Sequence, residues 1–313
     1  LDTGHVLANL ATIAPHAGAS VSTCLGFMDQ ELNGLFFFED ASEAVLAVAP
    51  VVPEPGPCVP APLWISPARR VKLAGSQLKQ EADLAGSATV ALHRASSCPE
   101  KMLAEDTSAG EPRVSDRSIP LEAPQGLGER MPRAILTRRS ARSYTGAPAP
   151  LAAVGRALGF ALGRHAPKRA IHYGTRDAGV LRAHLLAFAV EGLDPGLYAV
   201  EGAGEALLPL SLGTFREPFF RASLGQEIAH TCAAALVLTA PAAPALALYG
   251  DRAYRYLHVE AGAVGQRFQL AAGAQGLVAC GIGGFLDDEA SSLVESSPDD
   301  FVLYLVTLGQ VNG

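Results

Sequence analysis

Arg138, Arg139, Ser140 and Arg142 make the densest basic cluster of a chain whose 24 lysines and arginines are outnumbered by 31 acidic residues. Guanidinium forks offer paired N–H donors that match two phosphate oxygens, and a hydroxyl among them adds another donor. The cluster also ends an amphipathic stretch, where cations suit the negative end of a helix dipole. Residue types alone leave both readings open. A second candidate is Gly281-Ile282-Gly283-Gly284-Phe285, whose close glycines would let backbone N–H groups meet a flat or anionic ligand. It lacks the G-x-G-x-x-G order of a strand-to-helix dinucleotide loop, so a Rossmann site is not supported. Thr175-Arg176-Asp177-Ala178-Gly179 could line a pocket with backbone, although it also reads as an ordinary turn. The run 249–256, Tyr-Gly-Asp-Arg-Ala-Tyr-Arg-Tyr, sets phenols and guanidinium groups just before a long helix. Here Asp251 reads as an N-cap, the arginines as snorkelling side chains, and Tyr249 as a phenol able to move a proton. The eight histidines show no ligand spacing and no Ser/His/Asp set suggests a triad, so no metal is expected.

These groups need elements to hold them. Apolar periodicity predicts a long helix over 256–276, then the glycine turn, a short helix opening on an acidic residue and a buried strand over 301–308. A strand or buried segment is expected over 180–190, and a strand over 235–239 followed by a loop. The uncharged run 232–249 is long enough to suggest a membrane span, but Pro241 and Pro244 interrupt it and a buried strand fits better.

Residues 262–306 match residues 4–48 without a gap, at an offset of 262 − 4 = 258. Gly4, Val6, Ala14, Gly18, Gly26, Phe27, Asp29, Glu31 and Leu35 recur as Gly262, Val264, Ala272, Gly276, Gly284, Phe285, Asp287, Glu289 and Leu293. In the first copy the strand is expected over 44–49. Its turn is Thr23-Cys24-Leu25-Gly26-Phe27, where side chains at 23 and 25 would obstruct a ligand, so this copy reads as degenerate. The organisation expected is a degenerate half-repeat over 1–52, a Pro/Ser/Ala-rich linker over 53–130 with one helical stretch near 76–95, and a site-bearing domain over 131–313.

With 49% hydrophobic and 18% charged residues the chain is globular in composition. A formal charge of −7 argues against nucleic acid or an anionic membrane as its main partner. Five cysteines at 24, 58, 98, 232 and 280 lack the spacing of a metal or redox motif and read as reduced thiols of a cytoplasmic protein. The first residue is Leu1 and the opening reads as the inside of a helix, as a fragment would.

Arg-Arg-Ser-x-Arg at 138–142, Asp-Ala-Gly-Val at 177–180, Gly-Leu-Asp-Pro-Gly-Leu-Tyr at 192–198, the 249–256 run and Gly-Ile-Gly-Gly-Phe at 281–285 stand in a telling order. Together they resemble the SagB-type dehydrogenases, a branch of the FMN-dependent nitroreductase superfamily, over about 132–309. The resemblance implies an α+β fold with a central, mostly antiparallel sheet flanked by helices, and FMN at a dimer-type interface. It implies that Arg138, Ser140 and Arg142, with Arg139 in the same cluster, hold the FMN phosphate and ribityl chain. Gly283 and Gly284, after Ile282, would lie by the isoalloxazine ring, and Asp177, Ala178 and Gly179 by its other side. The implied activity is oxidation of azolines or related groups in peptide natural-product maturation. A NAD(P)H-dependent nitro or quinone reductase is the alternative, and a flavin-less scaffold or peptide-binding partner a third reading. The partners implied are a small-molecule or peptide substrate and either a homodimer or an intramolecular pseudo-dimer. Two positions depart from the branch: Leu248-Tyr249 stands where Lys-Tyr is common, and Arg176-Asp177 where Pro-Ser is common. The resemblance therefore carries fold and FMN further than substrate.

Overall fold

The computed structural model describes residues 1–38, 43–53, 88–97, 114–123, 130–163, 171–172, 179–297 and 299–312. Its helices are α1 (Asp2–Ile13), α2 (Asp29–Phe36), α3 (Ala88–Ala95), α4 (Met131–Thr137), α5 (Leu151–Leu162), α6 (Arg216–Ala222), α7 (Glu227–Thr231), α8 (Ala242–Tyr249), α9 (Ala253–Ala274) and α10 (Asp287–Leu293). The strands are β1 (Ala19–Val21), β2 (Thr23–Cys24), β3 (Val51–Pro53), β4 (Ile119–Pro120), β5 (Ala149–Pro150), β6 (Ile171–His172), β7 (Arg182–Ala187), β8 (Val190–Glu191), β9 (Gly196–Glu201), β10 (Ala206–Leu212), β11 (Ala234–Ala240), β12 (Val278–Ile282) and β13 (Phe301–Gly309).

Every residue of β11 is buried, as in a strand covered on both faces. It lies inside a seven-stranded sheet of order β12-β13-β11-β7-β9-β10-β4, antiparallel at every step. Because side chains alternate along a strand, adjacent residues feed different cores. Leu185, Tyr198 and Leu236 join α5 and α9 through Val154, Leu158, Leu257 and Phe268. Leu186, Leu197 and Val237 join α6, α7 and α10 through Phe219, Ile228 and Leu293. The sheet thus separates two helical layers. α9 is buried along most of its length and packs on α5 and α1.

The N-terminal segment runs in the same element order as the C-terminal one: α1, β1–β2 and α2 parallel α9, β12 and α10. The returning strand differs. Residues 44–49, expected as a strand, hold only an isolated bridge between Cys24 and Val48, and β3 begins at Val51. The Val45 N–H bonds the Asn33 side chain at 2.9 Å, which takes that donor away from any ladder. The register also slips: Cys24 meets Val48, whereas Ile282 (24 + 258) meets Leu305 and not Val306 (48 + 258). The ungapped match is therefore one residue out on the return. Pro53 pairs with Ala19, so β3 reaches into the stretch read as linker.

Three local expectations change. The loop expected after residue 239 is α8, whose Pro244 sits in the first turn, where helix N–H groups lack intrahelical partners anyway. The long helix starts at Ala253, with Arg252 rather than Asp251 at its N-cap, because Gly250–Arg252 is a 3-10 turn. The helix near 76–95 is described from Ala88 onwards, and 76–87 lie outside the described residues.

Candidate functional site

α4 ends where Arg138 leaves helical geometry at φ −52 and ψ 129, its N–H still bonded to Ala134 O. The cluster then divides. Arg139 Nη1 donates back to the Leu136 and Arg138 carbonyls at 3.1 and 2.8 Å, so this guanidinium serves the helix end. Arg138 Nη1 turns instead to Ser140 Oγ and to Gln269 Oε1 on α9, both at 3.2 Å. Burial pushes the Cys280 thiol of β12 up, while the Ser140 hydroxyl beside it and the charges of Arg142 and Arg138 pull it back. The basic cluster and the strand leading into the glycine turn are therefore neighbours.

Tyr304 of β13 joins them. Its hydroxyl lies against Gly281, where an added Cβ would fall 1.7 Å from the phenolic oxygen, so only glycine fits there. Burial, chiefly, pushes the Tyr304 phenol up to about 12, and it stays protonated at neutral pH. His5 Nε2 of α1 is 3.0 Å from that hydroxyl, and His5 Nδ1 is 2.8 Å from Gln266 Oε1. Gln269 is 3% exposed, and beside its Nε2 lies the Tyr304 oxygen, which does not complete a hydrogen bond of good geometry to it. Buried amide donors without an acceptor are rare, and each calls for an explanation.

Gly283 and Gly284 behave differently from Gly281. Both are exposed and neither has a positive φ. An added Cβ would come no nearer than 3.5 Å to Leu1 Cδ1 at Gly283, or 3.8 Å to Leu224 Cδ1 at Gly284, which is ordinary contact. Neither backbone conformation nor packing within the chain asks for glycine at these two positions. Open main chain thus follows the end of β12, three residues beyond Cys280.

The other expected residues lie apart. The Ile282 side chain is buried in the second core and anchors the turn from beneath. Gly179 is exposed at φ +60, while Asp177 and Ala178 lie outside the described residues. Tyr249, expected as the proton-transfer group, ends α8 with its ring 1% exposed and edge-on to Tyr256, 5.6 Å between centroids. It belongs to the core of α8 and α9, because that end of α8 packs on α9. The arginines of the same run do not snorkel. Arg252 is 2% exposed: its guanidinium bonds Asp29, Phe27 O and Leu25 O, the last two at 3.1 Å. In the first copy, then, a cation occupies the main chain of the turn, and the Thr23 and Leu25 side chains are buried around it.

His5, Gln266, Gln269 and Tyr304 were not foreseen. The legible signal was the pair of glutamines three residues apart among the apolar residues of the buried face of α9, since polar groups on a buried face need partners.

The sequence profile of the Nitroreductase family matches residues 135–310, more than half of the chain. The chain belongs to the nitroreductase family. Members of this family are oxidoreductases. The matched region takes in the basic cluster, α9, the glycine turn and Tyr304, and leaves α1 to α3 outside it. A nitroreductase-type protein of Methanocaldococcus jannaschii is 24% identical over 183 residues, covering 56% of this chain and 88% of its own. The crystal structure of a nitroreductase-type protein from Anabaena variabilis superposes with a TM-score of 0.76 at 26% identity, over 99% of this chain and 64% of that one. This chain therefore spans less than two thirds of that protein's length. A structure from Ralstonia eutropha, at 18% identity and a TM-score of 0.52, covers 68% of this chain and 98% of its own. The antiparallel sheet between helical layers is the nitroreductase-like fold. Among the described residues no group of His, Cys, Asp or Glu could hold a metal, and no helix is long and apolar enough to cross a membrane.

Proposed function

We propose that this chain is an FMN-dependent oxidoreductase of the SagB-like dehydrogenase type, with the flavin held between the basic cluster and the glycine turn. One observation carries the reading: Arg138 bonds Ser140 and Gln269 of α9, and Ser140 meets Cys280, one residue before the glycine turn. The groups present fit FMN in three ways. Arg138 and Arg142 supply forks for a phosphate. Gln269 Nε2 is a buried amide with two N–H donors and only the Tyr304 oxygen beside it, which leaves one N–H for a ligand oxygen. The main chain at Gly283 and Gly284 is open to a flat ring.

When bound, FMN supplies reversible hydride chemistry, and the protein positions it and tunes it. Arg138, Ser140 and Arg142 would hold the phosphate and ribityl end. The glycine turn would leave the ring free of side chains there and would present main-chain N–H groups to it. Tyr304, protonated, contributes a neutral hydroxyl. Tyr249 is assigned to packing, because a sealed phenol has no path to a substrate. Residues 1–52 are read as a degenerate partial copy standing in for a second subunit, which would make the chain an intramolecular pseudo-dimer. Leu248 packs on the core where the branch commonly has lysine, so oxidation of an azoline would need another base.

The visible spectrum of the purified protein, before and after NADPH, tests this. The proposal expects an oxidised-flavin spectrum that NADPH leaves in place and an oxidisable peptide or small molecule bleaches. Rapid bleaching by NADPH would instead favour a nitro or quinone reductase. A colourless protein that takes up no added FMN would leave the scaffold reading.

A further inference from the structure

Four polar side chains connect α1 to the site, although α1 lies outside the matched region. Gln266, 2% exposed on α9, donates from Nε2 to Asn9 Oδ1 at 2.8 Å. Its Oε1 therefore faces His5 Nδ1, 2.8 Å away, and a carbonyl oxygen can only accept. The proton of His5 then sits on Nδ1, which leaves the lone pair of Nε2 to accept the Tyr304 O–H at 3.0 Å. Burial, chiefly, lowers the His5 pKa and keeps this neutral tautomer dominant. The chain of donation runs from Tyr304 to His5 to Gln266 to Asn9, away from the glycine turn. Two consequences reach the site. The Tyr304 oxygen turns its lone pairs towards the neighbouring Gln269 amide, and Gln269 keeps an N–H for a ligand oxygen while its own oxygen holds Arg138.

Resting on the FMN reading above, we propose that His5 is a positioning residue for the flavin. Supplied by the N-terminal segment, it draws the Tyr304 proton away from the site, which leaves the Tyr304 oxygen to accept from the Gln269 amide and keeps the Gln269 oxygen turned towards Arg138. The N-terminal copy thereby does more than pack on α9: it sets the hydrogen-bond polarity of the other copy's site.

The test is FMN affinity, read by quenching of flavin fluorescence, for the parent chain and the His5→Ala, His5→Gln, Tyr304→Phe and His5→Ala/Tyr304→Phe variants. His5→Ala and Tyr304→Phe should each raise Kd roughly five- to tenfold, the effect of one lost hydrogen bond. The double variant should bind no worse than either single, because both remove one interaction. His5→Gln, which keeps an acceptor facing Tyr304, should return to within about threefold of the parent, a rescue that loss of helix packing would not produce. Val6→Ala, on the exposed face of the same helix, should leave Kd unchanged. Additive single effects, or a His5→Ala protein that binds FMN as tightly as the parent, overturn this inference alone. A parent that quenches no FMN fluorescence overturns the flavin reading and this inference with it.

Discussion

Gly4 packs against Gly262 where α1 crosses α9. A methyl on Gly4 would lie 2.0 Å from the Val259 carbonyl oxygen, and one on Gly262 would lie 2.2 Å from that of Leu1. The two glycines are equivalent positions of the repeat, 262 − 4 = 258 residues apart, so the copies meet at like positions. Both obstacles are backbone and cannot rotate aside. Gly262→Ala should therefore lower the unfolding free energy by about 1–3 kcal/mol and speed amide exchange in α1. Urea denaturation with hydrogen exchange checks this; an unchanged midpoint would mean that the helices separate freely.

Asp29 carries the second contact between the copies. It is 1% exposed, bonded to Arg252 and, at 2.7 Å, to Arg255. Asp29→Asn removes the counter-charge and leaves two cations in a poorly hydrated place. The expected loss is roughly 3–5 kcal/mol in a denaturant titration. Asp29→Asn combined with Arg252→Met should recover part of it, because the more deeply buried of the two cations has gone. No recovery would assign the loss to packing.

Arg138 and Arg139 are adjacent but should behave differently. Arg138 reaches Gln269 across the site, whereas Arg139 bonds the carbonyls at the end of α4. Arg138→Ala should weaken FMN binding about tenfold or more, the usual worth of one charged hydrogen bond. Arg139→Ala should change it less than about twofold. Equal losses from both, measured by isothermal titration, would refute the division.

His184 on β7 makes stability depend on pH. Burial, and then Arg182, hold its pKa from the ordinary 6.5 down to about 4, and its Nδ1 has no partner. The folded protein keeps this imidazole neutral, while the unfolded chain takes up a proton below about 6.5. Its contribution is therefore complete above pH 6.5 and is lost as pH falls towards 4, on the order of 3 kcal/mol in total. Urea midpoints at pH 7 and pH 5 should differ for the parent and converge for His184→Gln. A parent curve flat over that range would dismiss the effect.

Much of the fold could be read in advance. The apolar runs became β11 and β13, and the long periodic stretch became α9. These are local quantities, set by side-chain period over a few residues. The glycine turn and the basic cluster were legible for the same reason, since each is a short run of one residue type.

Where those side chains point was another matter. Nothing in Arg138-Arg139 says that one serves a helix end and the other the site, because Gln269 is 131 residues further on. Tyr249 was a plausible phenol until α8 turned it into the core, and Arg252 was a surface cation until Asp29, 223 residues away in sequence, gave it a buried partner. His5 and Tyr304 are 299 residues apart. Residue types and their spacing determined which chemistry this chain could host and which segments would form helix or strand. Only the packing of the N-terminal copy on α9 decided which side chains meet, because hydrogen bonds and ion pairs act over a few ångströms of space and are blind to distance along the chain.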